Sequence, residues 1–306
     1  MMHDLTLVWQ RVLQRPSIAV DSDFFELGGN PTLAAQLFVE IGKTLGRDLP
    51  PEFIYQARTI RSLASLLELS AKPRLQRLVL LQAGLEEPPI FLVPGLGGSV
   101  LDFFQLVRHI GLRHPTYGMP AKGLDGLDEP LERIEDMAEF YLDAVREVQP
   151  RGPYFLVGYS VGGLVTLEMA RRLSARGERV ALLAMVDSYP DRRHLSLAQH
   201  LRLIIRLARH HAYRQPVPVG LTPDMLRVRQ NAYRAINRYQ PRFYAGKIKF
   251  VRAGIVTKFP DDPVAVWGNL VSELEVETVP GDHQGMLTAH FENLASVLAR
   301  YVQGAL

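Results

Sequence analysis

The segment from residue 154 to residue 173 constrains the fold of this chain more than any other. An apolar run at residues 154–157 is followed by Gly158-Tyr159-Ser160-Val161-Gly162 and then by a helical pattern. G-x-S-x-G between a strand and a helix is typical of a nucleophile elbow, in which two glycines permit a strained turn that lifts the serine above the sheet edge. The alternative is a glycine-rich turn whose serine has no chemical role. We expect Ser160 to be a nucleophile.

Short, continuous apolar runs recur after residue 75, with helical patterns between most of them. Continuous runs fit strands that are buried on both faces, so they predict an α/β fold with a parallel sheet. The regularity is interrupted at about residues 192–240 by a mostly helical insertion, which we interpret as a lid. The predicted strands lie at residues 78–81, 90–93, 154–157, 180–186, 248–251 and 274–279.

Residues 3–70 have a different pattern, with three apolar stripes at helical spacing. They predict a small all-α bundle, joined by a linker at residues 71–78 to a larger domain at residues 79–306. The stripes are Leu5, Val8, Trp9, Val12 and Leu13; then Leu33, Leu37, Phe38 and Ile41; and finally Ile60, Leu63, Leu66 and Leu67.

The composition excludes several classes of protein. With 47% hydrophobic residues and a net charge of +3, the chain is neither disordered nor basic enough to indicate a nucleic-acid partner. The absence of cysteine excludes disulfides, thiolate zinc sites and a cysteine nucleophile. No clustered metal ligands or phosphate-binding loop are visible, so we expect no metal. The apolar runs are too short to cross a membrane, and we expect a soluble, cytoplasmic protein with no membrane partner.

A serine nucleophile needs a base, and His283 follows the last predicted strand in a loop, where a late histidine can reach the serine. The acid that orients this histidine has three candidates. Asp187 ends the strand at residues 180–186, whereas Asp261 and Asp262 follow the next strand. An aspartate after a strand is also a common turn or helix-cap residue. Asp187 is preferred for its position at the end of the strand at residues 180–186, which gives the chain order Ser, Asp, His; Asp261 and Asp262 could supply the same carboxylate.

Two backbone amides are expected to stabilise the oxyanion of an acyl-transfer intermediate. One belongs to Val161, directly after the nucleophile. The other lies in Pro94-Gly95-Leu96-Gly97-Gly98, which follows the first buried strand, and Leu96 is the preferred donor. The alternative for this segment is a glycine-rich turn without a catalytic role.

Residues 75–306 resemble the thioesterase domain that ends nonribosomal peptide and polyketide synthetases. The resemblance implies an α/β-hydrolase fold, and because the acid in that family follows the strand before the lid, it favours Asp187 over Asp261 and Asp262. The matching motifs are Val93-Pro94-Gly95-Leu96-Gly97-Gly98, Gly158-Tyr159-Ser160-Val161-Gly162-Gly163, Val186-Asp187-Ser188-Tyr189-Pro190 and Gly281-Asp282-His283-Gln284-Gly285-Met286-Leu287.

Residues 3–70 resemble the carrier domain that usually precedes such a thioesterase. Asp23-Phe24-Phe25-Glu26-Leu27-Gly28-Gly29 matches the loop that enters the second helix of a carrier. The family then has an acid or histidine, the phosphopantetheine-bearing serine and a leucine, whereas this chain continues with Asn30, Pro31 and Thr32. Proline has no hydroxyl, so no covalent phosphopantetheine is expected at Pro31. The cofactor is expected only on the carrier that donates the substrate. We also expect Asn30 to cap this helix and Pro31 to occupy its first position.

The resemblance and the residues together predict a serine thioesterase. It would release an acyl or peptidyl chain from a carrier, by hydrolysis or cyclisation, through an ester on Ser160. The expected partners are an acyl-loaded carrier domain or upstream synthetase module and a small-molecule acyl or peptidyl substrate. The alternatives are a stand-alone editing hydrolase or esterase, and a non-catalytic docking module.

The lid segment is expected to carry a basic face. Arg202, Arg206 and Arg209 share one side of a predicted helix. The face is either a solvated arginine surface or a docking surface for an acidic carrier or for the phosphate of phosphopantetheine.

Overall fold

The computed structural model describes residues 1–85, 87–191, 201, 222–255 and 262–305. The predicted basic face of Arg202, Arg206 and Arg209 therefore lies outside the described residues, as does the candidate acid Asp261. Within the described ranges, no helix is long and apolar enough to cross a membrane.

The N-terminal unit is a bundle of three α-helices, as the apolar stripes predict. Most residues of each stripe are buried, and the others are partly buried against the same apolar cluster. Within this cluster, the rings of Trp9 and Phe24 make an edge-to-face contact with centroids 5.3 Å apart. A 3₁₀ helix that the apolar pattern did not reveal lies between the second and third α-helices. The helices are α1 (Met2–Leu13), α2 (Pro31–Leu45), the first 3₁₀ helix (Pro51–Tyr55) and α3 (Ile60–Leu67).

The start and end of α2 follow from local sequence. The Asn30 side chain accepts a hydrogen bond of 3.0 Å from the amide of Leu33, and Pro31 is the first helical residue, where a missing N–H costs nothing. Gly46 ends the helix in the left-handed conformation, with φ 64°. The predicted cap and the predicted position of Pro31 are confirmed.

The larger domain contains a seven-stranded sheet in the order β1-β3-β2-β4-β5-β6-β7. All neighbouring strands are parallel except β1, which pairs antiparallel with β3. Every predicted apolar run overlaps a strand, whereas the three-residue β3 was not predicted because so short a segment has no readable pattern. The strands are β1 (Val79–Gln82), β2 (Ile90–Val93), β3 (Thr116–Gly118), β4 (Tyr154–Tyr159), β5 (Val180–Val186), β6 (Tyr244–Ala253) and β7 (Val271–Val279).

Helices cover both faces of this sheet, so its central strands are buried on both sides. Successive residues of β4 alternate between two apolar clusters: Tyr154 and Leu156 pack on one face, and Phe155 and Val157 on the other. This double burial explains why the strand is continuously apolar. The other elements in the described part of the domain are the second 3₁₀ helix (Val100–Phe103), α4 (Phe104–His109), α5 (Ile134–Val148), α6 (Val161–Ala175), α7 (Pro223–Arg238), α8 (Pro263–Trp267), α9 (Gly285–Thr288) and α10 (Phe291–Gln303).

Candidate active site

Ser160 stands in a strained turn between β4 and α6. Its φ is 56° and its ψ is −123°, which is a rarely populated conformation for a residue with a side chain. The turn is possible because glycines stand two residues before and two residues after Ser160. A Cβ on Gly158 would lie 2.2 Å from the carbonyl oxygen of Gly162, and one on Gly162 would lie 2.2 Å from that of Val93. The predicted strand–turn–helix segment is present, and the Ser160 side chain lies at the carboxyl edge of the sheet.

Asp187 lies at the same edge, one residue after β5. It also has a positive φ, of 45°, and its amide donates a 2.7 Å hydrogen bond to the carbonyl of Val251 in β6. Its Oδ1 accepts a bond of 3.3 Å from the amide of Ala253. These bonds to the neighbouring strand direct the second carboxylate oxygen towards the loop after β7.

His283, in that loop, lies between the two other side chains. Its Nδ1 is 2.8 Å from Asp187 Oδ2, and its Nε2 is 3.1 Å from Ser160 Oγ. When Nδ1–H donates to the carboxylate, the lone pair of Nε2 points to the serine and can accept its hydroxyl proton. All three residues are less than a tenth exposed, and the low dielectric of this buried site strengthens their hydrogen bonds.

The candidate acids behave differently in the structure. Asp187 is the carboxylate beside His283, whereas Asp262 accepts a hydrogen bond of 2.9 Å from the amide of Ala265 and caps α8. Asp262 thus has the capping role that the sequence left open for an aspartate after a strand.

Tyr159 contacts the candidate base His283, and the sequence analysis did not predict this contact. Its hydroxyl donates a 2.6 Å hydrogen bond to the backbone carbonyl of His283, and the two rings stack at a centroid distance of 4.8 Å. Burial raises the pKa of the Tyr159 phenol above its ordinary value, so it stays a donor. The sequence signal that could have found it is its position directly before Ser160.

The segment at residues 94–98, called the 94–98 loop below, connects β2 to the second 3₁₀ helix. The close approach of Gly162 to Val93 places the start of this loop against the first turn of α6, where the Val161 amide has no partner within the helix. An apolar pocket lies beside both segments. Its lining includes Leu96, Met137, Phe140, Val161 and Val228.

Two family models match the chain. The thioesterase domain model matches residues 88–301, and the model described as a phosphopantetheine attachment site matches residues 3–67. At the position where the resemblance to carriers places the modified serine, Pro31 offers no hydroxyl, so this residue does not fit covalent attachment. The domain bounds at residues 3–70, 71–78 and 79–306 stay a prediction.

Comparisons with individual proteins agree with these matches. The chain is 38% identical over 185 residues to the dimodular nonribosomal peptide synthase of Bacillus subtilis (strain 168); this covers 60% of the chain but only 8% of the synthase. The chain therefore spans a small part of the curated relatives that it matches.

Many solved structures have a similar fold, and two of them illustrate it. The thioesterase domain of NocB from the nocardicin cluster matches with a TM-score of 0.55 and 25% identity, covering 71% of this chain and 94% of that domain. The four-domain nonribosomal peptide synthetase holo-AB3403 matches with a TM-score of 0.63 and 23% identity, covering 99% of this chain and 26% of the synthetase. With most of its length matched by one family model, the chain belongs to the thioesterase domain family, and it carries a carrier-type unit ahead of that domain.

Proposed function

We propose that this protein releases an acyl or peptidyl chain from a carrier-bound thioester through a covalent ester on Ser160. The observation that supports the proposal is the chain of contacts from Asp187 through His283 to the strained Ser160. In this mechanism, His283 Nε2 takes the hydroxyl proton as Ser160 Oγ attacks the thioester carbonyl. Asp187 keeps the imidazole in the required tautomer and stabilises its protonated form.

The negative charge that develops on the carbonyl oxygen needs donors that are already in place. We assign this role to the amides of Val161 and Leu96, each worth about 3 to 4 kcal/mol if it behaves like donors whose removal has been measured. The tetrahedral intermediate collapses as the proton on Nε2 passes to the leaving thiolate. Water, or an amine or hydroxyl of the bound chain, then attacks the ester and releases an acid or a ring.

We further propose that the acyl group arrives from a carrier other than residues 3–67. Pro31 cannot hold a phosphopantetheine arm, so the unit next to the thioesterase domain in this chain does not load Ser160 itself. The donor is then a carrier domain of a synthetase module or of a separate protein. The apolar pocket beside Leu96 and Val161 suits an aliphatic or aromatic part of the acyl chain.

The test is covalent labelling followed by mass spectrometry. Wild-type protein incubated with an acyl thioester of N-acetylcysteamine, or with a fluorophosphonate probe, should gain one adduct on the peptide that contains Ser160. The Ser160→Ala variant should gain none and should keep its circular dichroism spectrum, because the side chain points out of the turn. Ser296→Ala makes the same chemical change on α10, where the hydroxyl only bonds to its own helix. It should be labelled like the wild type, and an adduct that persists on Ser160→Ala would refute the assignment.

A further inference from the structure

The carrier-type unit is joined to the thioesterase domain through a buried polar contact. Glu52, on the first 3₁₀ helix, is 0% exposed, and the hydroxyl of Ser99 donates a hydrogen bond of 2.5 Å to its Oε1. Ser99 is itself only 6% exposed. Among the described residues, Glu52 Oε2 has no hydrogen-bond partner. Burying a carboxyl group with so few partners is costly, so this contact must be held in place by the packing around it.

That packing comes from three independent contacts between the two units. The rings of Phe25 and Phe104 stack at a centroid distance of 5.3 Å. Arg58 donates a hydrogen bond of 2.9 Å to the carbonyl of Leu80, on the edge strand β1. Leu101 of the thioesterase domain is buried within the same apolar cluster as the core of the bundle. The carrier-type unit thus contacts the thioesterase domain through both apolar and polar groups.

Ser99 directly follows the 94–98 loop and is the N-cap of the second 3₁₀ helix. Its hydroxyl oxygen accepts a bond of 3.3 Å from the amide of Leu101 and so caps the second 3₁₀ helix. The preceding residue, Gly98, donates its amide to the carbonyl of Gly95 at 2.9 Å and accepts from the amide of Ala121 at 3.0 Å. The end of the loop next to Ser99 therefore depends on a small number of hydrogen bonds, and the Ser99 hydroxyl that follows it donates one to Glu52 in the other unit.

We propose that Glu52 is a positioning residue for the thioesterase reaction: through Ser99, it holds the 94–98 loop where the Leu96 amide can face the oxyanion at Ser160. The inference rests on the proposed function, in which Leu96 is a donor. Such a donor acts only when its N–H is already aimed at the developing charge, and a displacement of about 1 Å is enough to lower a rate substantially. The carrier-type unit, although it lacks the hydroxyl for a phosphopantetheine arm, thereby completes the neighbouring active site.

The experiment compares four variants of the full chain with the wild type. Glu52→Ala removes the acceptor, Ser99→Ala removes the donor, and Glu52→Gln keeps an oxygen in place of Oε1. Arg58→Ala is the matched control, because it removes an equally direct contact between the units that does not touch the 94–98 loop. For each variant we measure kcat and KM on a thioester, the rate of fluorophosphonate labelling, and hydrogen exchange of the amides at residues 95–101.

We expect Glu52→Ala and Ser99→Ala each to lower kcat and the labelling rate about tenfold, less than the loss of a whole oxyanion donor. KM should change by less than about twofold, and exchange at residues 95–101 should speed up. The double variant should lose no more than Ser99→Ala alone, because both substitutions remove the same hydrogen bond and Ser99→Ala also removes the bond from the Leu101 amide. Glu52→Gln should restore most of the rate, and Arg58→Ala should lower the unfolding midpoint while kcat is retained.

Two results would overturn the proposal. One is a folded Glu52→Ala protein with wild-type kcat and unchanged loop exchange; the other is an equal loss of kcat in Arg58→Ala, which would mean that docking alone matters. If Glu52→Ala does not fold, Ser99→Ala decides, since it removes a single oxygen. The exchange measurement does not depend on turnover. If the wild-type protein forms no adduct on Ser160, the proposed function is refuted. The effect of Glu52 on the 94–98 loop would still be measured by the exchange rates of its amides.

Discussion

Two residues of the candidate site have backbone conformations that side chains normally avoid. Ser160 and Asp187 have φ values of 56° and 45°, and each immediately follows a strand. Such conformations cost about 1 to 3 kcal/mol each and persist where the surroundings compensate for them. Here the Ser160 amide donates to Val186 at 2.9 Å and the Asp187 amide donates to Val251 at 2.7 Å. The adjacent strand thus holds each residue in a turn that brings its side chain to the edge of the sheet.

The role proposed for Asp187 leads to the first prediction at this scale. Asp187→Asn should keep the fold but favour the wrong tautomer of His283, and kcat should fall by about 10⁴-fold, as in a comparable serine enzyme. Asp262→Asn is the control, because asparagine caps a helix as well as aspartate does, and it should retain kcat. Steady-state kinetics of both variants on one thioester provide the comparison. A larger loss in Asp262→Asn than in Asp187→Asn would require a different acid.

At the scale of elements, the first turn of α2 has residues that favour the start of a helix but has no hydroxyl at position 31. Asn30 caps the helix and Pro31 opens it with its φ already near the helical value. Thr32 is exposed and has a hydroxyl, but one residue along a helix turns a side chain by about 100°. The change to proline at this position therefore removes the site of attachment without weakening the helix.

The second prediction follows from this geometry. Incubated with coenzyme A and a broad-specificity phosphopantetheinyl transferase, Pro31→Ser should gain the mass of one phosphopantetheine unit, while the wild type should gain nothing. Thr32→Ser, with Pro31 retained, is the matched control for a hydroxyl one step away and should also stay unmodified. Intact-mass spectrometry measures the mass of the wild type and of both variants. Modification of the wild type would show that the chain uses another attachment residue.

At the scale of the whole molecule, the contact between the two units buries an ionisable group. Burial of Glu52 raises its pKa from 4.5 to about 7; the Ser99 hydroxyl opposes this shift and the negative charge of Asp102 adds to it. The folded protein thus holds a proton that the unfolded chain gives up near pH 4.5. Between pH 4.5 and pH 7 the unfolded state binds fewer protons than the folded state, so stability falls as the pH rises through this window.

The third prediction is that Glu52→Gln removes this pH dependence. Relative to the wild type, the variant should gain little below pH 4.5 and about 3 kcal/mol in free energy of unfolding above pH 7, since each pKa unit corresponds to about 1.4 kcal/mol. Glu26→Gln is the control, because its exposed side chain is solvated in both states. Denaturant unfolding of the three proteins at pH 4.5, 6 and 8 checks this. A stability difference that is constant across these pH values would contradict it.

Local features of the molecule were readable from the sequence. These features depend on residues that are close together in the sequence. They are the three helices of the bundle, the cap at Asn30, the strand–turn–helix segment around Ser160 and the continuous apolar run of β4. Apolar periodicity and turn chemistry act over this range, so they can be recognised in a single chain.

Contacts between distant segments were decided only by the tertiary structure. Asp187 and His283 are 96 residues apart, and the order of β4, β5, β6 and β7 in the sheet places this aspartate beside the imidazole and leaves Asp262 to cap α8. The same holds for the hydrogen bond of Tyr159 to the His283 backbone and for the Glu52–Ser99 contact between the two units. The physical reason is that apolar periodicity states that a face is buried but not what buries it, since the hydrophobic effect has no direction and any apolar partner of suitable shape satisfies it.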